Sequence, residues 1–392
     1  MRNARRVLLA FAWFLIPYAA SLVVSGYRIP GSTLWPWNPN SFDLEIYQRT
    51  GQMVLAGQNF YDAPQGYPWI YPPFPALFTT LLAPLSVPAA TALWDALSVA
   101  VLTALLYRLG FSGGKLALAA TICVLLVDPV NLTIGYGQVG ILLVGLVCLD
   151  SLPGRRFFRR RLLPEGWLIG LGAAVKLTPA VSAAYLFSAG RRKPGLAAFF
   201  TFCACTAVGF AVFFQYSADY WLGLLHGNTG MNDGLPFCLN QSIMGALIRL
   251  THGSTAGAMV LIAVVAVAGI AVCVLIHRCG QAALALCLSG LTALLASPIS
   301  WSHHWVWIVP LAVVLWKTRE LPAWYRFSGL FLCLWMAVSP FKWLPNDHFV
   351  EYTYGPAAML LANFGVYLGL LWLLSGFVLA QQLRKRSASL PR

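Results

Sequence analysis

Apolar positions along this chain come in long blocks, neither alternating as in a strand nor confined to one stripe of a helix. Runs of roughly 15–24 apolar residues recur from end to end, and a membrane-crossing helix needs about 20, fewer where it is short or re-entrant. Segments of this kind fall at 7–26, 89–108, 116–130, 138–153, 164–175, 177–190, 195–214, 256–277, 281–300, 302–316, 327–340 and 357–380. The pattern predicts an all-α polytopic membrane protein with about 12 transmembrane or re-entrant helices. The chain reads as a single transmembrane domain over 1–392. Residues 1–26 start basic and continue as "VLLAFAWFLIPYAASLVVSG". That apolar part exceeds a usual signal-peptide core of about 7–15 residues, so it reads as an uncleaved first span.

Between the blocks lie two long polar regions, 27–88 and 215–255, which are expected to form the catalytic cavity. Several middle segments are too short to reach the far interface. Their tips, "DPVNLTIGYGQ" (128–138) and "KLTP" (176–179), are therefore expected within a recess, because non-helical backbone at membrane depth survives only where it lines a polar cavity.

Composition supports the membrane reading and excludes a large soluble core. The chain is 59% hydrophobic and 10% charged, against roughly 25% charged in soluble domains. The nine cysteines show no metal-like or disulfide-like spacing and read as small core residues. A net charge of +14 raises the question of nucleic acid, but the cations sit in short connections: Arg155, Arg156, Arg159, Arg160 and Arg161; Arg191, Arg192 and Lys193; Arg384, Lys385 and Arg386. With the N-terminus inside, all three clusters become cytoplasmic. The outer face keeps only Arg28, Arg49, Lys176, Arg249 and Lys342 of the 26 Lys and Arg residues. That is the positive-inside pattern, and it points to membrane lipids as surroundings and to no nucleic-acid partner.

Candidate chemistry gathers on the expected outer side. The first loop carries "SFDLEIYQRTGQMVLAGQNFYD" and then "YPWIYPPFPALF". Asp43 and Glu45 are two apart, so on a helix they face different ways. Asp43 can equally be a helix cap. Lys176 lies between apolar segments, where an ammonium costs about 2.5–3.5 kcal/mol unless it faces a cavity, a partner or the interface. An anionic group such as a phosphate would suit it. His303 and His304 open "SHHWVWIVP" beside Trp301. Adjacent helical positions point apart, which makes a poor two-ligand metal site; an aromatic belt at the membrane interface is the plainer alternative. Asn240 and Gln241, in "CLNQSIMGALIRL", can orient hydroxyl-rich ligands or simply cap a helix. One outer carboxylate, buried cations, many aromatic rings and side-chain amides, with no Gly-rich nucleotide loop, suit a carbohydrate joined to a lipid phosphate.

In their order along the chain, "FDLEIY", "YPPFPAL", "GYGQVGILL", "GAAVKLTPA", "NQSIMGALIR" and "SPISWSHHWVWIVPL" resemble glycosyltransferase family 87, actinobacterial membrane transferases with the GT-C fold. The resemblance runs from about Ser41 to Pro310. It implies a polyprenyl-phosphate sugar donor used on the outer side of the plasma membrane, and a glycolipid acceptor. It is nearest to family members that use polyprenyl-phosphate mannose to extend phosphatidylinositol mannosides through α-1,2 links with inversion. It implies that Asp43 is the general base and that Lys176, His303 and His304 hold the donor phosphate. Glu45, Arg49, Tyr71, Gln138, Asn240, Gln241 and Trp301 are the expected substrate contacts. No cofactor or metal is required by this chemistry, and a monomer is expected. A lipomannan-branching mannosyltransferase and an arabinofuranosyltransferase are alternatives within the family. A lipid-linked sugar flippase is the alternative from another class, and it would need no general base.

Overall fold

A computed structural model describes residues 2–62, 67–157, 160–227, 234–255, 257–346 and 349–389; Arg159 of the first basic cluster lies outside them. Seventeen α-helices follow along these residues: α1 (Arg2–Ser25), α2 (Phe42–Leu55), α3 (Pro73–Thr79), α4 (Val87–Arg108), α5 (Gly114–Leu126), α6 (Asp128–Tyr136), α7 (Gly140–Ser151), α8 (Trp167–Val175), α9 (Ala180–Ser188), α10 (Arg192–Val212), α11 (Phe214–Leu225), α12 (Ile243–Leu250), α13 (Ala258–Arg278), α14 (Ala282–Ala296), α15 (Ile308–Lys317), α16 (Ala323–Val338) and α17 (Pro356–Ser389). The only β pairing among them is two isolated bridges, Thr33 with Asn38 and Asn240 with Trp301.

Every expected apolar segment carries a helix, but fewer cross by length. Among the described residues, four helices are long and apolar enough to span a membrane: α4, α10, α13 and α17. A fifth span results if α5 and α6 are taken together across their 77° bend. The expected uninterrupted segment 116–130 is thus broken. A helix running on from α5 would hold Pro129 in its interior, with no N–H to offer the Leu125 carbonyl, and α5 stops at Leu126 with Val127 extended (φ −92°, ψ 101°). Pro129 then sits in the first turn of α6, where its missing N–H costs nothing.

The expected segment 302–316 is broken as well. It begins as a 3-10 helix, Ser302–Trp307, and turns α-helical at Ile308. An α-helix running from Ser302 would hold Pro310 in its interior, with no N–H to offer the Val306 carbonyl. Restarting at Ile308 places Pro310 in the first turn, where that N–H has no intrahelical role.

The main apolar core lies among the membrane helices, with Leu102, Leu105, Val144, Leu288, Trp305 and Leu373 buried in it. α13 packs on α14 and α17, α1 on α4 and α5, and α8 on α10. A smaller core of Leu44, Tyr47, Phe60, Trp69, Tyr71 and Leu82 holds the long connection between α1 and α4 together. It forms because α2 buries Leu44, Tyr47, Gln48 and Gly51 on one face, the i, i+3, i+4, i+7 stripe of an amphipathic helix. Gly51 lets that face reach α3; a Cβ there would lie 2.2 Å from the Thr79 carbonyl oxygen. Asp43 and Glu45 occupy the first turn of α2, where negative charge complements the helix dipole.

Candidate active site

A cavity of about 1100 Å³ opens where these elements meet. Its wall draws on the start of α2, the Tyr67–Pro72 stretch, α6 and the turn after it, the α8–α9 break, α11, and the 297–304 segment. Among the sequence-predicted residues, Asp43, Tyr71, Gln138, Lys176, Trp301, His303 and His304 line it. Residues more than 250 positions apart in the chain thus share one chamber.

Asp43 reaches the cavity through the packing of α2 on the end of α6. α6 ends at Gly137 in the left-handed region (φ 71°), a helix ending that glycine adopts without strain. A Cβ on Gly137 would stand 2.6 Å from the Leu44 Cβ, so this glycine also sets how closely α2 approaches. The next residue, Gln138, is buried, and its Oε1 accepts from the Tyr47 hydroxyl (3.2 Å) and the Tyr71 hydroxyl (3.1 Å). The two hydroxyls lie 3.0 Å apart. With its carbonyl so occupied, the Gln138 amide has its N–H donors left to stabilise the Asp43 carboxylate. Burial pushes the Asp43 carboxyl up to about 6, against the Gln138 hydrogen bond and the charge of Lys176, which pull it down. A carboxylate poised there is a base near neutral pH.

Lys176 follows α8 directly and has extended backbone (φ −152°, ψ 133°). Pro179, three residues on, starts the next turn. Its Nζ lies 2.8 Å from His304 Nε2 and 5.6 Å from the centre of the Tyr71 ring. The Lys176 ammonium has donors only, so Nε2 is the acceptor and Lys176 the donor. His303 is placed differently. Its ring crosses that of His304 at 86°, with centroids 4.5 Å apart, and lies 5.6 Å from the Tyr136 ring. It is 7% exposed, and its Nε2 is buried without a hydrogen-bond partner. Its carbonyl accepts from Thr133 Oγ1 at 2.9 Å, which ties the 3-10 helix to α6.

Four of the expected substrate contacts lie outside the cavity wall. Glu45 is exposed on the opposite side of α2, as the two-residue spacing from Asp43 requires. Arg49, one turn further along, donates to the Tyr67 carbonyl and braces the loop there. Asn240 and Gln241 are fully buried. The Asn240 amide donates to the Leu235 and Pro298 carbonyls and accepts from the Ser300 N–H at 2.9 Å. Gln241 donates to the Cys238 and Ala362 carbonyls, and its backbone N–H to the Ser300 carbonyl at 2.8 Å. Both are spent on holding the segment that carries Trp301, His303 and His304. Arg249, also fully buried, donates to the Pro236, Phe237 and Asn240 carbonyls and to Asn363 Oδ1.

Sequence reasoning passed over several residues of the site. Tyr47 had a signal: it stands four residues after Asp43 and therefore on the same face of α2. Arg28 and Lys342 had almost none, being lone cations on the side expected to lie outside, yet both line the cavity. They meet on one carboxylate oxygen, Asp128 Oδ1, at 2.9 Å and 2.7 Å. Tyr67, Tyr136 and Tyr220 add aromatic wall. Among the described residues, no three His, Cys, Asp or Glu side chains converge as a metal site would need.

Comparison with known proteins adds the family. Residues 69–298 match the model for "Glycosyltransferase family 87". Lys176 falls within that stretch, and Asp43, His303 and His304 fall outside it. The chain is 30% identical over 383 residues to a Mycobacterium tuberculosis protein named polyprenol-phosphate-mannose-dependent alpha-(1-2)-phosphatidylinositol mannoside mannosyltransferase, covering 88% of this chain and 85% of that one. The Mycolicibacterium smegmatis protein of the same name is 30% identical over 372 residues, covering 84% and 82%. A Mycobacterium tuberculosis protein named for a phosphatidylinositol pentamannoside acceptor is 31% identical over 314 residues, covering 75% and 70%. No solved structure matches. With a family model matching over half its length and relatives at this identity along most of it, the chain belongs to glycosyltransferase family 87.

Proposed function

We propose that this chain is an inverting mannosyltransferase. It moves mannose from a polyprenyl-phosphate mannose to a phosphatidylinositol mannoside and forms an α-1,2 link. The observation that carries the reading is the meeting of Asp43 with Lys176 and the His303–His304 pair in one cavity of a family 87 chain whose relatives bear these names. Asp43 accepts the proton of the acceptor hydroxyl. The freed oxygen forms its bond to the anomeric carbon as the bond from that carbon to the phosphate oxygen breaks. The electron pair leaves with the polyprenyl phosphate. Lys176 and His303 face that phosphate, and His304 holds Lys176 in place by accepting its hydrogen bond. Tyr71, Tyr67 and Trp301 supply ring faces against the sugars. Protein cations meet the leaving charge, so the reading routes no step through a metal.

The same reading places the chain in the plasma membrane with the cavity outside. What supports it is the placement of the basic clusters away from the cavity, in the sense of the positive-inside rule. The cavity is built within one chain, and a monomer suffices for the reaction.

The test is product formation by purified protein in detergent, with polyprenyl-phosphate mannose and polyprenyl-phosphate arabinose tried in parallel on a phosphatidylinositol mannoside. The expected result is a mannosylated product whose new α-1,2 link is identified by linkage analysis, with turnover unchanged by EDTA. Arabinosyl product alone would reassign the donor. Donor translocation across vesicles without any product would make the chain a flippase.

A further inference from the structure

The cavity has a second cationic pole that the reaction described above does not use. Arg28 stands just after α1, and Lys342 lies in the connection between α16 and α17. Both bond the same oxygen of Asp128, at the α5–α6 break. The three are only partly exposed, at 39%, 21% and 11% of their side chains. Two cations on one carboxylate leave a net charge of +1 on the cavity wall. Asp128 Oδ2 is buried without a partner, so the carboxylate is committed to pinning these two side chains. The His303 ring packs on that of His304, the partner of Lys176, and lines the same cavity as Arg28 and Lys342, and its buried Nε2 has no partner. The unpartnered imidazole therefore belongs to the wall that the two poles share.

Charge bookkeeping of the transfer gives the pole a purpose. The donor is a phosphodiester with one negative charge. The leaving polyprenyl phosphate is a monoester, which carries between one and two charges near neutral pH because its second pKa is near 6. About one further negative charge therefore develops on the phosphate as the glycosidic bond breaks. Lys176 offsets the charge already present, and it is tied up by His304. The new charge needs a second cation that is already in place, because groups held where charge develops stabilise the transition state without reorganising.

We propose that Arg28 and Lys342, pinned on Asp128, form with His303 the half of the phosphate site that takes up the charge developing on the leaving polyprenyl phosphate. This rests on the glycosyl-transfer reading above. It makes two predictions that Lys176 alone does not: the pole should bind the monoester product more tightly than the diester donor, and its loss should lower kcat more than it raises donor KM.

The experiment measures two quantities on purified full-length protein: steady-state transfer with varied donor, and direct binding of a short-chain polyprenyl monophosphate by calorimetry. The variants are Arg28→Gln, Lys342→Met and Lys342→Arg, with Lys115→Gln, an exposed cation at the start of α5, as control. Removing one charged hydrogen bond should lower kcat about ten- to a hundredfold and weaken monophosphate binding by a similar factor. Donor KM should change less than about threefold. Lys342→Arg should recover most of both, which a fold defect in Lys342→Met would not explain. Wild-type monophosphate affinity and kcat in both Arg28→Gln and Lys342→Met would overturn the proposal. A larger effect on KM than on kcat would also overturn it, by making the pole a ground-state contact. If the wild type neither transfers sugar nor binds the monophosphate, the transfer reading itself fails. Transfer by the wild type with unaffected variants removes this inference alone.

Discussion

The chain handles its buried polar residues in two opposite ways, on two sides of the 297–304 segment. Behind the segment, Asn240, Gln241 and Arg249 are fully buried and their N–H donors are taken up by backbone carbonyls and by Asn363 Oδ1, with only the Gln241 Oε1 left unpartnered among them. In front of it, the cavity wall holds groups of the other kind: Asp43 is half-buried with its carboxyl pushed up to about 6, and the His303 Nε2 has no partner. Both sides use residues that hydrogen-bond well, and both are built near the same backbone. Satisfied polar groups fix a structure, whereas an unsatisfied one facing a cavity costs stability and so marks where a ligand is expected to complete it. An unpartnered atom on a residue of the cavity wall, unlike the Gln241 Oε1 away from it, separates site from scaffold more sharply than residue type does.

The comparison breaks most visibly at Asp43. Asp43→Asn should cut turnover at least about a hundredfold, the low end for a lost general base, while the thermal midpoint stays near wild type. The sign of the pH dependence follows from the raised carboxyl. Its ionised form, the active base, prevails above about 6, so kcat/KM should fall as the pH drops through that value and recover above it. The Asn variant should lack this acid limb. An unchanged profile in Asp43→Asn would take Asp43 out of proton transfer.

The scaffold side should respond in the opposite coordinate. Asn240→Ala strands the Ser300 N–H and the Leu235 carbonyl, while the Pro298 carbonyl keeps the Ser242 hydroxyl, and an orphaned buried group costs about 1–3 kcal/mol. A clear drop in thermal or denaturant stability is expected, with donor KM in the surviving protein near wild type. Loss of donor affinity at unchanged stability would instead return Asn240 to the list of ligand contacts.

The two histidines sharpen the comparison within the site. His303→Ala removes a group with an open nitrogen and should weaken donor use by about tenfold or more, the lower range for a hydrogen bond to a charged partner. His304→Ala leaves Lys176 without its acceptor, and its effect should largely overlap that of Lys176→Ala. A double-mutant cycle measures this: Lys176 with His304 should be strongly non-additive, and Lys176 with His303 closer to additive. The reverse pattern would exchange the roles of the two rings.

The smallest effect is expected at Glu45. Glu45→Gln should stay within about twofold of wild type in turnover, because surface substitutions away from a site usually change little. A loss comparable to Asp43→Asn would mean that α2 presents its other face to the substrate.

Much of the architecture was legible before any coordinates, because a chain so apolar has few ways to satisfy its backbone other than helices. The positions of the apolar segments, the helix starting near Asp43 and the break at Lys176 all follow from local pattern, proline placement and hydropathy. The divergence of Asp43 and Glu45 needed only helical periodicity. The breaks ahead of Pro129 and Pro310 also had local causes, yet hydropathy windows average across them and so merged each with its neighbour. The count of helices long enough to cross falls below the number of apolar segments partly for this reason and partly because helices such as α7, α8, α9 and α14 are short in themselves.

Which polar side chains are open to a ligand was decided by tertiary structure alone. Asn240 and Gln241 look as well suited to a sugar as Gln138 does, and nothing in their immediate sequence says that a distant backbone consumes them. Arg28 and Lys342 lie more than 300 residues apart, and only the packing of three connections around Asp128 brings them together. Sequence fixes which groups are available and on which face of a local element each one lies. Whether such a group is satisfied depends on partners from other elements, and a hydrogen bond of about 3 Å is a fact of packing that no local pattern contains.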